Sequence, residues 1–328
     1  KTFRKVPSDR PLRLAFLGCG WAARIHSKYL KGRSDVALYY ASRSAEKAAR
    51  FRQEFGGAGA FGSYEAAIND PEVDAVFVVT PPDSHLELTL QALDAGKHVL
   101  VEKPPFLRSA DFERIREKQQ QSHTQVLVAE NYFYKPLLRK LRRIIASGII
   151  GDIKFLFINA TKTQHTGDWR DDPSQAGGGA LFEGGIHWVN FISNLGLTLH
   201  TVQGFQPGQG TDMERSIQIV AKYREGPIAT LLYSWEVSAL LKGLRLSRIY
   251  GTRGSITFES NGVFIFARGK GLRLSFPGLR DIGGYKAMFA DFLDALHKGT
   301  EPAFNLELAQ RDLEVIERVY QSIRSEKR

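Results

Sequence analysis

Leu12-Arg13-Leu14-Ala15-Phe16-Leu17-Gly18-Cys19-Gly20-Trp21-Ala22-Ala23 is the stretch that decides how this chain folds. Its first six residues form an apolar run of strand length, and Ala22 to Leu30 reads as a helix. Between them, Gly18 and Gly20 allow a tight turn and a close approach of backbone to phosphate. The free N–H groups that open the helix favour an anion. The last small position is Ala23, which still lets helix and strand pack closely. Placed strand–turn–helix at the head of a domain, the loop is expected to hold a dinucleotide pyrophosphate, with Gly18, Gly20, Trp21 and Ala22 against it. Cys19 fills the loop.

The following strand, Val36–Ala41, should end beside the adenosine ribose, where an acidic residue commonly marks an NAD site. Here the chain reads Ser42-Arg43-Ser44, with no carboxylate, before a helix over Ala45–Phe55. A hydroxyl followed by a guanidinium suits a 2′-phosphate, because arginine offers planar, charge-assisted donors. NADP is therefore the preferred cofactor and NAD the second.

From Leu12 to about Val128 strands and helices alternate. Ala75–Thr80 is a continuous apolar strand of the kind buried on both faces of a parallel sheet. His98–Val101, a helix near Ser109–Gln121 and the strand Gln125–Ala129 complete an α/β, doubly wound Rossmann domain over residues 1–130. After a helix at Pro136–Ser147 the style changes. Extended segments at Ile153–Thr163, Ser216–Tyr223, Ile228–Trp235, Arg245–Gly251, Ser255–Phe258 and Val263–Ala267 are separated by turns such as Arg224-Glu225-Gly226-Pro227. Residues 131–328 thus read as an α+β domain on a large, mostly antiparallel sheet. Its terminal helix, Leu306–Ile323, carries an apolar stripe that returns to the body of the protein.

The chain has 328 residues, enough for two cores. Its single cysteine excludes an internal disulfide framework and fits a cytoplasmic setting. No apolar stretch spans a bilayer, and no cleavable signal is visible at the N-terminus, so no membrane partner is expected. The net charge of +10 is spread through helices such as Arg114–Lys118 and Arg139–Arg143, and no nucleic-acid motif accompanies it.

Strand C-termini of an open parallel sheet line the ligand crevice, which is where Thr80-Pro81-Pro82 and Glu102-Lys103-Pro104 fall. Proline after Lys103 restricts the lysine backbone and gives the side chain a defined direction. Its ammonium can hydrogen-bond a reacting carbinol oxygen and stabilise developing negative charge. In Gly177–His187 the glycines precede a helix expected to begin near Ala180, so Glu183 and His187, four residues apart, share a helix face. The imidazole can take a hydroxyl proton as hydride leaves, and the carboxylate can hold its tautomer. No second histidine stands at ligand spacing, so no metal is expected.

These segments, with His85, Ala176–Asn190 and Gly251-Thr252-Arg253-Gly254-Ser255, resemble the glucose–fructose oxidoreductase, inositol 2-dehydrogenase and rhizopine-catabolism family, Gfo/Idh/MocA, over nearly the whole length. The resemblance implies a Rossmann domain, a C-terminal domain on a large antiparallel sheet, and NAD(P)-dependent oxidation or reduction of sugars, sugar derivatives or cyclitols. It implies Lys103 as catalytic lysine and His187 as acid/base. Glu183 stands where the family usually has aspartate, and Asn190 where a second aspartate is common. Thr80, Pro81, His85, Glu102 and Lys103 are implied at the cofactor. Glu130, Asn131, Tyr132, Trp169 and Arg170 are implied at the substrate.

Two further readings share the fold. One is a glycosidase whose held NAD is reduced and reoxidised within each cycle, and the other is a cofactor-binding regulator without turnover. The resemblance also points to a homodimer or homotetramer joined through the C-terminal sheet. Phe258, Phe264 and Phe266 are expected on its open face, although Lys222, Arg224, Thr257 and Arg268 could let that face stand in water.

Overall fold

The computed structural model describes residues 2–208, 213–238 and 244–326. Two compact units make up the chain: Lys1–Glu130 with Met288–Gln310, and Asn131–Ala287 with Arg311–Arg328. No described helix is long and apolar enough to cross a membrane.

The first unit alternates strand and helix: β1 (Leu12–Leu17), α1 (Trp21–Leu30), β2 (Val36–Ala41), α2 (Ala45–Phe55), β3 (Gly59–Phe61), α3 (Tyr64–Asn69), β4 (Ala75–Val78), α4 (His85–Asp94), β5 (His98–Glu102), α5 (Asp111–Ser122) and β6 (Val126–Ala129). The strands form one six-stranded sheet in the order β3-β2-β1-β4-β5-β6, every pair parallel. That order reverses direction between β1 and β4, which is the switch point where such sheets bind dinucleotides. The central strand β4 is apolar throughout, as in a parallel sheet covered on both faces, and all four of its residues are buried. Phe16 stacks on Tyr40 at 5.4 Å and meets Phe77 at 5.1 Å. Burial pushes the Tyr40 phenol up to about 12. Helix α2 starts where Ser44 accepts a hydrogen bond from Lys47 N–H and stops at Gly56, whose φ of 67° ends the turn. The short β3 and α3 were not legible in the sequence, being too brief to carry a period.

The second unit comprises α6 (Pro136–Ala146), β7 (Ile153–Thr161), α7 (Pro173–Ala176), α8 (Ile186–Ser193), β8 (Leu199–Phe205), β9 (Ser216–Tyr223), β10 (Ile228–Ser234), β11 (Leu246–Gly251), β12 (Gly254–Glu259), β13 (Ile265–Gly269) and β14 (Gly271–Ser275). Helices α9 (Tyr285–Lys298) and α10 (Leu306–Glu326) follow, each divided between the two units. Eight strands form a sheet in the order β14-β13-β12-β11-β7-β10-β9-β8, antiparallel except for the parallel pair β7–β10. Its inner face is a core of alternating residues such as Leu156, Ile158, Ile219, Leu231, Tyr233 and Ile256.

The outer face is apolar and exposed, with Phe155 59 %, Leu272 67 % and Leu274 59 % accessible, and Phe157, Leu246, Tyr250 and Phe266 alongside. Phe258, expected on this face, instead points inward and is fully buried. The register explains it: Phe258 pairs with Ile265, and both alternate with the outward Thr257–Phe266 pair.

Candidate active site

The loop after β1 is built as the sequence suggested. Gly18 has φ +116°, and a Cβ there would meet the Val79 carbonyl oxygen at 3.2 Å and Thr80 Cγ2 at 3.3 Å. Its N–H donates to the Ala41 carbonyl at 3.0 Å, tying the loop to the end of β2. The first bond of α1 runs from Arg24 N–H to the Gly20 carbonyl at 3.1 Å, so the earlier N–H groups point out of the helix. A Cβ at Gly20 would meet nothing, and the first turn carries no acid. These features fit a pyrophosphate. Ala23 is fully buried, Ala22 half-buried and Trp21 70 % exposed. Cys19 is buried, which pushes its thiol up to about 11, so it is no thiolate.

At the end of β2, Ser42 is buried and its hydroxyl accepts from Ser44 N–H at 3.2 Å. Arg43 is exposed, and its charge is felt by Tyr64 of α3, a neighbour the sequence did not reveal.

Beyond β4, Ser84 Oγ lies 2.7 Å from Thr80 Oγ1 and 2.9 Å from the Pro81 carbonyl. His85 is buried, with Nε2 2.7 Å from the Thr80 carbonyl and Nδ1 2.9 Å from the Pro104 carbonyl. Burial pushes this imidazole below its ordinary range, so its neutral ring has one N–H to give to the two carbonyls. It ties the loop after β4 to the segment after β5. That segment holds Glu102, whose Oε2 accepts from the Lys103 backbone N–H at 2.8 Å and whose Oε1 pairs with Nε2 of His26. The Lys103–Pro104 peptide is cis. Glu130 is buried at the end of the unit's last strand. In the first unit, Thr80, His85, Glu102 and Lys103 are thus linked through Pro104, and Gly18 lies beside Thr80.

In the second unit, Asn131 is buried and its amide donates to the Gly283 carbonyl at 2.6 Å. The Tyr132 ring stacks on His187, centroids 4.3 Å apart and planes 13° from parallel, and meets Trp188 edge-on at 5.4 Å. From Gly179 to Ser193 every residue except His187 is buried. The single helix expected from Ala180 is wound in two ways: Leu181–Gly185 forms a π turn, and α8 follows as an α-helix. The spacing of Glu183 and His187 is therefore not that of a regular α-turn. Packing accounts for the glycines here, since a Cβ on Gly184 would sit 2.1 Å from the Tyr233 hydroxyl and one on Gly185 2.8 Å from Leu181 Cδ1. Glu183 is buried and its Oε1 accepts from Arg170 Nε at 3.2 Å. The Arg170 guanidinium, also paired with Asp168, stacks 4.5 Å over Trp169. These contacts join Arg170 to Trp169 and Glu183, and the ring stack joins Tyr132 to His187.

Supporting groups lie far along the chain. Glu214 is buried, accepts from Leu181 N–H at 2.8 Å, and receives the Tyr320 hydroxyl at 2.9 Å. Burial pushes its carboxyl up. A Cβ on Gly179 would meet Glu214 Oε2 at 2.0 Å, so this glycine admits the carboxylate to the start of the turn that leads to His187. Asn190 donates to Asp312 of α10 at 2.6 Å, which fixes the same helix from below. No local pattern marks Glu214, Tyr320 or Asp312.

Comparison with known proteins agrees with this architecture. The GFO/IDH/MocA model described as "Oxidoreductase family, NAD-binding Rossmann fold" matches residues 12–130, and the GFO/IDH/MocA C-terminal domain matches residues 138–257. The dTDP-3,4-didehydro-2,6-dideoxy-alpha-D-glucose 3-reductase of Streptomyces violaceoruber is 30 % identical over 258 residues, covering 76 % of this chain and 73 % of that protein. Oxidoreductase P35 of Formosa agariphila is 26 % identical, covering 74 % of this chain and 78 % of its own. Among solved structures, the aldose–aldose oxidoreductase of Caulobacter crescentus superposes with a TM-score of 0.84 at 23 % identity, covering 96 % of this chain and 98 % of that one. This chain belongs to the GFO/IDH/MocA family of NAD(P)-dependent oxidoreductases built on a Rossmann fold.

Proposed function

We propose that this enzyme interconverts a secondary alcohol and a ketone on a sugar, sugar derivative or cyclitol, with NADP preferred over NAD. The observation that carries the reading is Lys103, set after the last residue of β5 with its backbone N–H held by Glu102, on the same sheet as the Gly18 loop. Strand ends of this kind are where such sheets bind ligands. The sugar class is supported by the relatives named as a dTDP-sugar reductase and an aldose–aldose oxidoreductase.

A bound nicotinamide supplies the acceptor or donor of hydride. Gly18, Gly20 and the first turn of α1 bind the pyrophosphate, and Ser42 with Arg43 takes a 2′-phosphate. The Lys103 ammonium would hydrogen-bond the substrate oxygen and stabilise the alkoxide charge it carries once the hydroxyl proton has left in oxidation, or as the ketone is reduced in the other direction. A ring nitrogen of His187 receives the hydroxyl proton in oxidation and returns it in reduction. Glu183 holds Arg170, and Trp169, Arg170, Glu130, Asn131 and Tyr132 complete the substrate surroundings. The exposed apolar face of the second unit's sheet joins copies of the chain into a homodimer or homotetramer.

The test is formation of reduced nicotinamide over a panel of aldoses, deoxysugars and cyclitols, for the parent enzyme and Lys103→Met. The variant should bind cofactor normally and turn over about a hundred- to thousandfold more slowly, the loss typical of a transition-state contact. Parent-like turnover in Lys103→Met would remove Lys103 from the chemistry.

A further inference from the structure

We propose that His26 is a positioning residue for Lys103, acting through Glu102. The inference rests on the catalytic reading of Lys103 but concerns a residue that no motif of the sequence singles out. His26 sits on α1, five residues after the helix opens, and is 1 % exposed. Its ring leans on Phe77, centroids 4.6 Å apart, and meets Phe289 edge-on at 5.6 Å. A polar ring in an aromatic nest needs polar partners, and its Nε2 pairs with Glu102 Oε1.

The Glu102 carboxylate is a bridge. One oxygen holds the imidazole and the other accepts the N–H of Lys103 at 2.8 Å. The β5–β6 ladder ends at the pair Glu102–Ala129, so the N–H of the next residue lies past the last ladder pair. Glu102 supplies the missing acceptor, and His26 fixes Glu102. On the far side of Lys103, the Pro104 carbonyl lies 2.9 Å from His85 Nδ1. The lysine backbone is therefore pinned on both flanks by buried histidines, one from the helix after β1 and one from the helix after β4. Because α1 is also the helix that opens at the glycine loop, His26 fixes the direction of the Lys103 side chain relative to the pyrophosphate site. Errors of about 1 Å in such placement cost on the order of a hundredfold in rate.

The test compares His26→Leu, which keeps an apolar side chain in the nest, with His26→Gln, which keeps a donor near the position of Nε2. Two readouts are taken. The first needs no substrate: lysine acetylation by trace acetic anhydride, followed by mass spectrometry, with exposed Lys28 on the same helix as internal reference. In His26→Leu, labelling of half-buried Lys103 should rise about threefold or more as its backbone is released, while Lys28 is unchanged. The second is steady-state turnover of NADP with the best sugar of the panel. His26→Leu should lose about ten- to a hundredfold in kcat with cofactor affinity retained, and His26→Gln should recover most of it. If His26→Leu does not fold, His26→Phe fills the same nest without a donor and takes its place. Parent-like Lys103 labelling and parent-like kcat in the donor-less variant overturn the inference. The catalytic reading fails separately, if Lys103→Met turns over like the parent, and the labelling result still decides the role of His26.

Discussion

The imidazole of His187 lies flat on the phenol ring of Tyr132, 4.3 Å between centroids, and Lys135 Nζ stands 4.3 Å from the centre of the same phenol ring. His187 is the one residue between Gly179 and Ser193 that is not buried, so an aromatic face is what holds its ring in place on that side. A stacked pair contributes about 0.5–1.5 kcal/mol beyond the area it buries. Tyr132→Phe keeps the ring and should stay within about twofold of the parent in kcat/KM, whereas Tyr132→Ala should lose about tenfold. Equal losses in the two variants would assign the effect to the hydroxyl and not to the stack.

The proposed preference for NADP is tested at Arg43. It is exposed and follows buried Ser42, the residue directly after the end of β2. A charge-assisted hydrogen bond contributes about 1.5–3 kcal/mol, so Arg43→Ala should weaken NADP binding by about tenfold or more and leave NAD nearly unchanged. Calorimetric titration of both cofactors decides it, and equal affinities in the parent enzyme would sink the preference.

Acid should weaken the first unit through His98. This ring is fully buried on β5, its Nδ1 accepts from Gln125 N–H at 3.1 Å, and burial pushes its pKa down to about 4 from 6.5. Below pH 6.5 the unfolded chain takes up a proton that the folded chain refuses until about pH 4. Stability that is complete above pH 6.5 is therefore lost as the pH falls through this window, by about 3 kcal/mol in all. His98→Asn retains an acceptor without the titration and should flatten this part of the pH profile. Urea melts at neutral pH and at pH 4.5 measure it. An unaltered slope in the variant would show that other groups carry the acid sensitivity.

The assembly proposed through the outer face of the second unit's sheet can be tested directly. Phe155, Leu272 and Leu274 are each more than half exposed, and contiguous apolar surface of this kind marks an interaction site. Light scattering should report a dimer or tetramer for the parent chain, and Phe155→Asp with Leu274→Asp should give monomers that retain cofactor binding. A monomeric parent would leave this face without the partner proposed for it.

The amino-acid sequence by itself determined whatever is local. The strand–glycine–helix start of the first unit was legible because turn chemistry and apolar period act within a dozen residues. Lys103 and His187 stood out because proline and glycine neighbours mark them. The π turn at Leu181–Gly185 was not legible, since its glycines answer to Tyr233, almost fifty residues further on. The inward turn of Phe258 was decided by strand register, which a one-residue slip would invert. The parallel pairing of β7 with β10 inside an antiparallel sheet depends on which strands become neighbours, and no period within either strand encodes that. The same holds for the groups that hold the candidate site in place. His26 reaches Glu102 across 76 residues, and Leu181 reaches Glu214 across 33. A buried polar group must find a partner wherever the fold brings one, and only the tertiary structure decides which residue that is.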